Sequence, residues 1–205
     1  MSKLIDTPQY HDAAEKATQL ASEGIAAVVG YYFRYSAYKQ RVNYADAVIL
    51  KAAGVATVTI LEDGSPITPG YFTAARGVED AQLAIYYAQA AHQPTGTLIY
   101  AAYDCDLSDA DIQSNVFDYA KSFHDTLKAA GYLAGAYGCG ALLVFLKEQG
   151  YASKAWLSQS QGFNGYKAGL AIADIVQGPE GHVLGLDIDS DVSVHDAAGA
   201  WVPEG

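Results

Sequence analysis

The sequence predicts an α/β protein of the TIM-like (β/α) barrel type, with eight strands, about five helices, and last three strands that lack regular helices. Three observations carry this. Apolar runs alternate with helical patterns through the first two-thirds of the chain, which argues for a parallel sheet. Eight strand signals can be counted, which argues for closure. From Ala155 onward the connections are short or rich in Gly, Asn and Pro, and no convincing amphipathic helix is seen. At 205 residues the chain is at the low end for such a barrel, which fits the loss of the last helices. An open doubly wound sheet is the structural alternative, but no G-x-G-x-x-G follows the first strand, so a dinucleotide site has no support. A single domain over residues 1–205 is expected.

In chain order, Leu4, Ile5 and Asp6 form a short strand that ends in a carboxylate. Asp12 can cap a helix over 13–22, which Gly24 stops. A second strand covers 25–33. Asn43 can cap a helix over 44–53, stopped by Gly54, and a β-branched third strand over 55–61 ends at Glu62. The loop 63–76, punctuated by Gly64, Pro66, Pro69 and Gly70, is long for a compact domain, and such loops are more often functional than idle. A helix is expected over 78–91. A fourth strand, 98–102, then runs straight into Asp104-Cys105-Asp106. Ser108 and Asp111 form a capping-box pattern that opens the longest helix, which Gly131 stops. A fifth strand over 133–137 and a fifth helix over 141–149 follow. Strands six to eight are expected over 155–157, 170–177 and 182–188.

Side chains alternate along a strand, so Asp104 and Asp106 are expected on one side and Cys105 on the other. Paired acids at the end of a buried strand are costly unless they serve a purpose. The strand ends supply more of the same kind: Asp6, Glu62, Asp187 and Asp189 are acids, and Trp156, Ser158, Gln159 and Gln177 are polar or aromatic neighbours. In a closed barrel these ends meet in one mouth, where sites are built. Crowded carboxylates cannot all ionise freely, so at least one pKa should rise. A protonated acid beside an ionised one is what glycoside hydrolysis needs. Trp156 could offer a flat face to a sugar ring. The competing structural reading is that such acids merely cap loops and helices.

Composition narrows the class. The chain is 51% hydrophobic and 17% charged, which is globular, and its net charge of −11 offers no basic stripe for nucleic acid and no attraction to an anionic membrane. No apolar run approaches a membrane span. The opening residues lack a signal peptide's apolar region, so synthesis in the cytoplasm is expected, with any wall-directed activity needing a phage or secretion-system route. The 16 tyrosines against 6 phenylalanines suit a polar, sugar-like ligand and equally suit ordinary wall positions with solvated hydroxyls. No metal or cofactor is expected; the five histidines, His11, His92, His124, His182 and His195, show no ligand spacing and read as ordinary surface or loop residues. Cys105 and Cys139 end adjacent predicted strands, within reach of a disulfide, with free thiols the default.

The ordered set Leu-Ile-Asp-Thr-Pro-Gln (4–9), Val-Val-Gly-Tyr-Tyr (28–32), Ile-Leu-Glu (60–62), Ile-Tyr-Ala-Ala-Tyr-Asp-Cys-Asp (99–106), Gly-Ala-Tyr-Gly (135–138), Ala-Trp-Leu-Ser-Gln (155–159) and Gly-Leu-Asp-Ile-Asp (185–189) resembles the glycoside-hydrolase-like barrels grouped as a domain family of unknown function, relatives of the family 25 lysozymes. The resemblance covers nearly the whole chain. It implies action on bacterial cell-wall peptidoglycan or a related amino-sugar glycan. It implies catalytic roles for Asp6, Asp104 and Asp106, with Asp106 as proton donor and Asp6 and Asp104 ionised. Glu62, Tyr32, Trp156, Gln159, Gln177, Asp187 and Asp189 are the candidate substrate-binding residues. The chain departs from the lysozymes in having Asp106 where they have Glu, one methylene longer, and Tyr31 where Arg is expected. A non-catalytic glycan-binding barrel is the alternative, followed by a metal-dependent Asp-x-Asp transferase or phosphatase.

Overall fold

The computed structural model describes residues 1–194 and 198–204; the expectation for His195 lies outside the described residues. Eight strands close into a barrel in sequence order: β1 Ser2–Asp6, β2 Ile25–Tyr32, β3 Ala56–Leu61, β4 Leu98–Ala102, β5 Leu133–Gly138, β6 Lys154–Leu157, β7 Ile175–Val183 and β8 Leu186–Ser193. Alternate residues face opposite ways. Leu4, Ala27, Val29, Val58, Ile60, Leu98, Tyr100, Trp156 and Ile175 fill the barrel interior. Their neighbours Ile5, Val28, Leu61, Ile99 and Ala101 pack outward against helices. Burial on both faces explains why these strands read as near-continuous apolar runs.

The outer layer comprises α1 Tyr10–Glu15 and α2 Ala17–Ser22, then α3 Tyr44–Ala52 and α4 Ala74–Ala90. It continues with α5 Asp109–Asp111, which leads through a π-helical turn over Ile112–Val116 into α6 Phe117–Ala129, and ends with α7 Gly140–Glu148 and α8 Tyr166–Ile172. Local chemistry sets several starts. The Asn43 side chain accepts the Asp46 N–H at 3.1 Å, Thr73 accepts that of Arg76 at 3.2 Å, and Ser108 and Asp111 form the reciprocal box. Asp12 is not a cap: α1 begins at Tyr10, and Asp12 lies in its first turn.

The last third departs from expectation. The segment read as a strand over 170–177 begins as α8, and β7 starts only at Ile175. The seven-residue helix is too short for a periodic signal. It is set by backbone contact with α7: a Cβ on Gly140 would lie 2.1 Å from the Gly165 carbonyl oxygen, and one on Gly169 would lie 2.7 Å from Gly140 Cα. The segment read as a strand over 182–188 is the tip of a hairpin. Leu184 and Gly185 both take positive φ, 54° and 80°, the pattern of a tight primed turn. β8 therefore runs antiparallel to both β7 and β1, and the barrel is not all-parallel. Cys105 and Cys139 are buried free thiols.

Candidate active site

The parallel strands aim their C-terminal ends at one mouth, and β8 brings its N-terminal end to the same place. Asp6 closes β1 and is paired in register with Asp189 on β8. Tyr31 arrives from β2, Glu62 just past β3, Asp104 past β4, Tyr137 from β5, Ser158 and Gln159 past β6, and Gln177 and Glu180 from β7. These residues line a polar cavity of about 270 Å³. A second lobe of about 520 Å³ shares Asp6, Tyr31, Glu180 and Asp189 and continues to His182 and Asp187. Together the lobes fall within the usual size of ligand sites, about 300–1,000 Å³.

Asp6 is 7% exposed. Its Oδ2 accepts a hydrogen bond from the Tyr31 hydroxyl at 2.7 Å, and its Oδ1 has no partner. Burial raises its pKa to about 7; the Tyr31 hydrogen bond opposes this, the charges of Asp189 and Glu62 add to it, and Lys39 opposes it. Partial burial also raises Asp104, against the pull of Lys39. Asp189 is raised by burial, although its Oδ2 accepts the Gln177 side-chain N–H at 2.7 Å. The Gln177 oxygen in turn accepts from the Tyr137 hydroxyl at 3.0 Å and from the Gln159 amide at 3.1 Å, so one glutamine fixes three cleft residues. Two positions further along β8, Asp191 is 1% exposed inside the barrel. Burial first, then the Asp6 and Asp189 charges, push it well up, while the Gly178 amide and Trp156 pull the other way.

Several expected residues stand elsewhere. Asp106 does not line the cleft. β4 ends at Ala102, so strand alternation does not extend to it; its Oδ1 accepts the Asn164 amide at 2.7 Å and ties the turn before α5 to the loop before α8. Asp104 lines the cleft and Asp106 is not among its lining residues, so the two carboxylates are not presented to it side by side. Tyr32 faces outward, fully buried, with its hydroxyl donating to Gln93 at 2.8 Å and its ring beside Tyr87; Tyr31, one position earlier, is the cleft residue. Trp156 touches the cavity floor but is fully buried edge-on between Tyr100 and Tyr137, so it offers no free face to a sugar. Asp187 is at the rim, paired with His182 at 2.8 Å.

Lys39 carried no sequence signal, being one basic residue in a loop. Its ammonium pairs with Glu62 and lies 4.1 Å from the centre of the Tyr31 ring. Tyr31 was legible in principle, sharing the inward parity of Ala27 and Val29. Among the described residues no group of three or more His, Cys, Asp or Glu is placed to hold a metal ion.

A closed α/β barrel with strand-end carboxylates converging on one polar cleft defines a glycoside-hydrolase-like class of protein. The chain belongs to the Rv2525c-like, glycoside hydrolase-like domain family, whose profile matches residues 18–164. That stretch contains Glu62, Asp104 and Asp106; Asp6 and Asp189 lie outside it. The fold is similar to that of the Tat-secreted protein Rv2525c of Mycobacterium tuberculosis, solved with L-tartrate (TM-score 0.82, 19% identity, 98% of this chain and 99% of that one). It is also similar to the catalytic domain of endolysin ply40 from Listeria monocytogenes bacteriophage P40 (TM-score 0.62, 14% identity, 96% and 94%). A third similar structure is the Streptococcus pneumoniae autolysin LytC in complex with a synthetic peptidoglycan ligand (TM-score 0.62, 14% identity, 98% and 46%). No curated protein sequence matches the chain.

Proposed function

We propose that the cleft binds and hydrolyses a peptidoglycan-like amino-sugar glycan by lysozyme-like acid catalysis. The observation that carries this is the Asp6, Asp104 and Asp189 set: three carboxyls in one cleft, all raised in pKa by burial, with Asp6 at about 7. With Asp6 at about 7, the cleft holds a proton on part of its molecules at neutral pH beside carboxylates that burial also raises. Asp104, exposed at the mouth, is the donor that can reach a glycosidic oxygen. Asp6 and Asp189, steadied by Tyr31 and Gln177, face the positive charge that develops on the sugar ring. Asp106, expected from the sequence as the donor, takes a structural role in this reading. The kinship with a Tat-secreted protein and with wall-lytic domains supports action outside the cytoplasm.

The second reading, a glycan-binding barrel without turnover, is favoured by the displacement of Asp106 from the cleft. Incubation with purified peptidoglycan and analysis of released reducing ends separates the two. Asp104→Asn should lose hydrolysis by about a hundredfold or more while oligosaccharide binding survives. Asp106→Asn should retain most turnover. Wild-type protein that binds glycan but releases no reducing ends leaves the binding barrel as the function.

A further inference from the structure

We propose that this cleft selects amino-sugar glycans whose amino groups are free and positively charged over their N-acetylated counterparts. The inference deepens the glycan reading above and rests on it.

Three observations on this chain lead there. Asp6 is more than nine-tenths buried, lines both lobes of the cleft, and has one carboxylate oxygen with no hydrogen-bond partner. A buried acceptor without a partner, on a residue that lines the cavity, is best met by a donor from the ligand, and an ammonium brings three donors with a charge of the right sign. The second observation is Lys39. Its ammonium already lies over the Tyr31 ring and against Glu62, and the same Tyr31 holds Asp6 by its hydroxyl. The wall thus combines an aromatic face with carboxylates, the chemistry that receives a cation, and the chain's own ammonium rests on part of it.

The third is the balance of the lining. Asp6, Glu62, Asp104, Glu180 and Asp189 line the inner lobe, and neither lobe has a Lys or Arg among its described lining residues. An N-acetyl group would add a methyl that needs apolar surface. In the inner lobe the side chains of Ile60 and Trp156 are 2% and 0% exposed and have almost none to give, so a sugar unit seated there has no place for the methyl; Pro8 and Ile188 lie in the outer lobe. Glucosamine units keep the hydroxyls and ring of the acetylated sugar, lose that methyl, and gain a charge opposite to the wall's.

The test is calorimetric titration of the full chain, near pH 7 where Asp6 is about half ionised, with two matched series. One is the N-acetylglucosamine tetramer against the glucosamine tetramer; the other is peptidoglycan fragments before and after de-N-acetylation. The de-N-acetylated member is expected to bind about tenfold tighter or more, with the advantage shrinking as salt is raised. A gain in the first series alone assigns a chitosan-like ligand, and a gain in the second assigns modified peptidoglycan. Asp6→Asn should bring the two members of a series close to parity, and Glu180→Gln, a change on the exposed hairpin, should reduce the gap. Equal or tighter binding of the N-acetylated members in both series overturns this inference and leaves the glycan reading standing. No binding of any of the four ligands overturns both.

Discussion

Asp6 ties the stability of the protein to pH. Its carboxyl titrates at about 7 in the fold, against about 3.9 for an unfolded chain. Between those values the folded state holds a proton that the unfolded state has released. Stability is therefore lost as pH rises through that window, by as much as about 4 kcal/mol once Asp6 is fully ionised. Asp6→Asn keeps the shape and removes the charge. It should gain on wild type from about pH 5 to about pH 8 in urea denaturation; parallel stability curves for the two proteins would count against the assignment. Lys39 offers a second handle at this scale. It holds both Asp6 and Asp104 down, so Lys39→Met should let them rise and move the alkaline limb of the pH–rate profile upward. A downward move would show that Lys39 does not face the donor.

At the scale of elements, the contact of α7 with α8 is made by glycine backbones. Gly140→Ala would drive a methyl into the Gly165 carbonyl and should cost about 1–3 kcal/mol. Gly162→Ala, where no atom lies within 4 Å of the added methyl, serves as the control and should be near neutral. Thermal unfolding of the pair tests this, and equal melting points would refute the close approach. The β7–β8 hairpin matters in another way. Thr7 donates to the Asp187 carbonyl at 2.8 Å, and the Asp187 amide donates to Gln9 at 2.8 Å. The first and last parts of the mouth are thereby fastened together, and Asp189 is held beside Asp6.

For the whole molecule, β8 is the closing stave. It pairs with β1 along Ser2–Asp6 and with β7 over most of its length. A chain ended at Gly185 would leave two unpaired edges and open the interior around Leu4 and Ile175 to water. Such a truncation should lose near-ultraviolet circular dichroism and aggregate; a monomeric product with a cooperative transition would show that the barrel does not need closure.

Local signals along the chain were enough for the class of fold, the order of strands β1 to β6 and the helices between them. Those elements carry local signals that agree with their packing: apolar runs buried on both faces, Asn43 and Ser108 as caps, and Gly24, Gly54 and Gly131 as stops with φ near 80°. The same signals also placed Asp6, Glu62, Asp104, Gln177 and Asp189 at one end. The rest came from contacts between segments distant in the chain. α8 exists because glycines let two backbones touch, a contact with no periodicity to read. The sense of β8 follows from a two-residue turn that reverses the chain, which changes how Asp187 and Asp189 reach the mouth without removing them from it. Asp106 left the cleft because β4 stops at Ala102 and alternation holds only while a strand continues. Lys39 reaches Glu62 and the Tyr31 ring from a loop whose path depends on what it packs against. Which carboxyl holds a proton was likewise a tertiary matter, since burial and neighbouring charge shift a pKa and composition records neither.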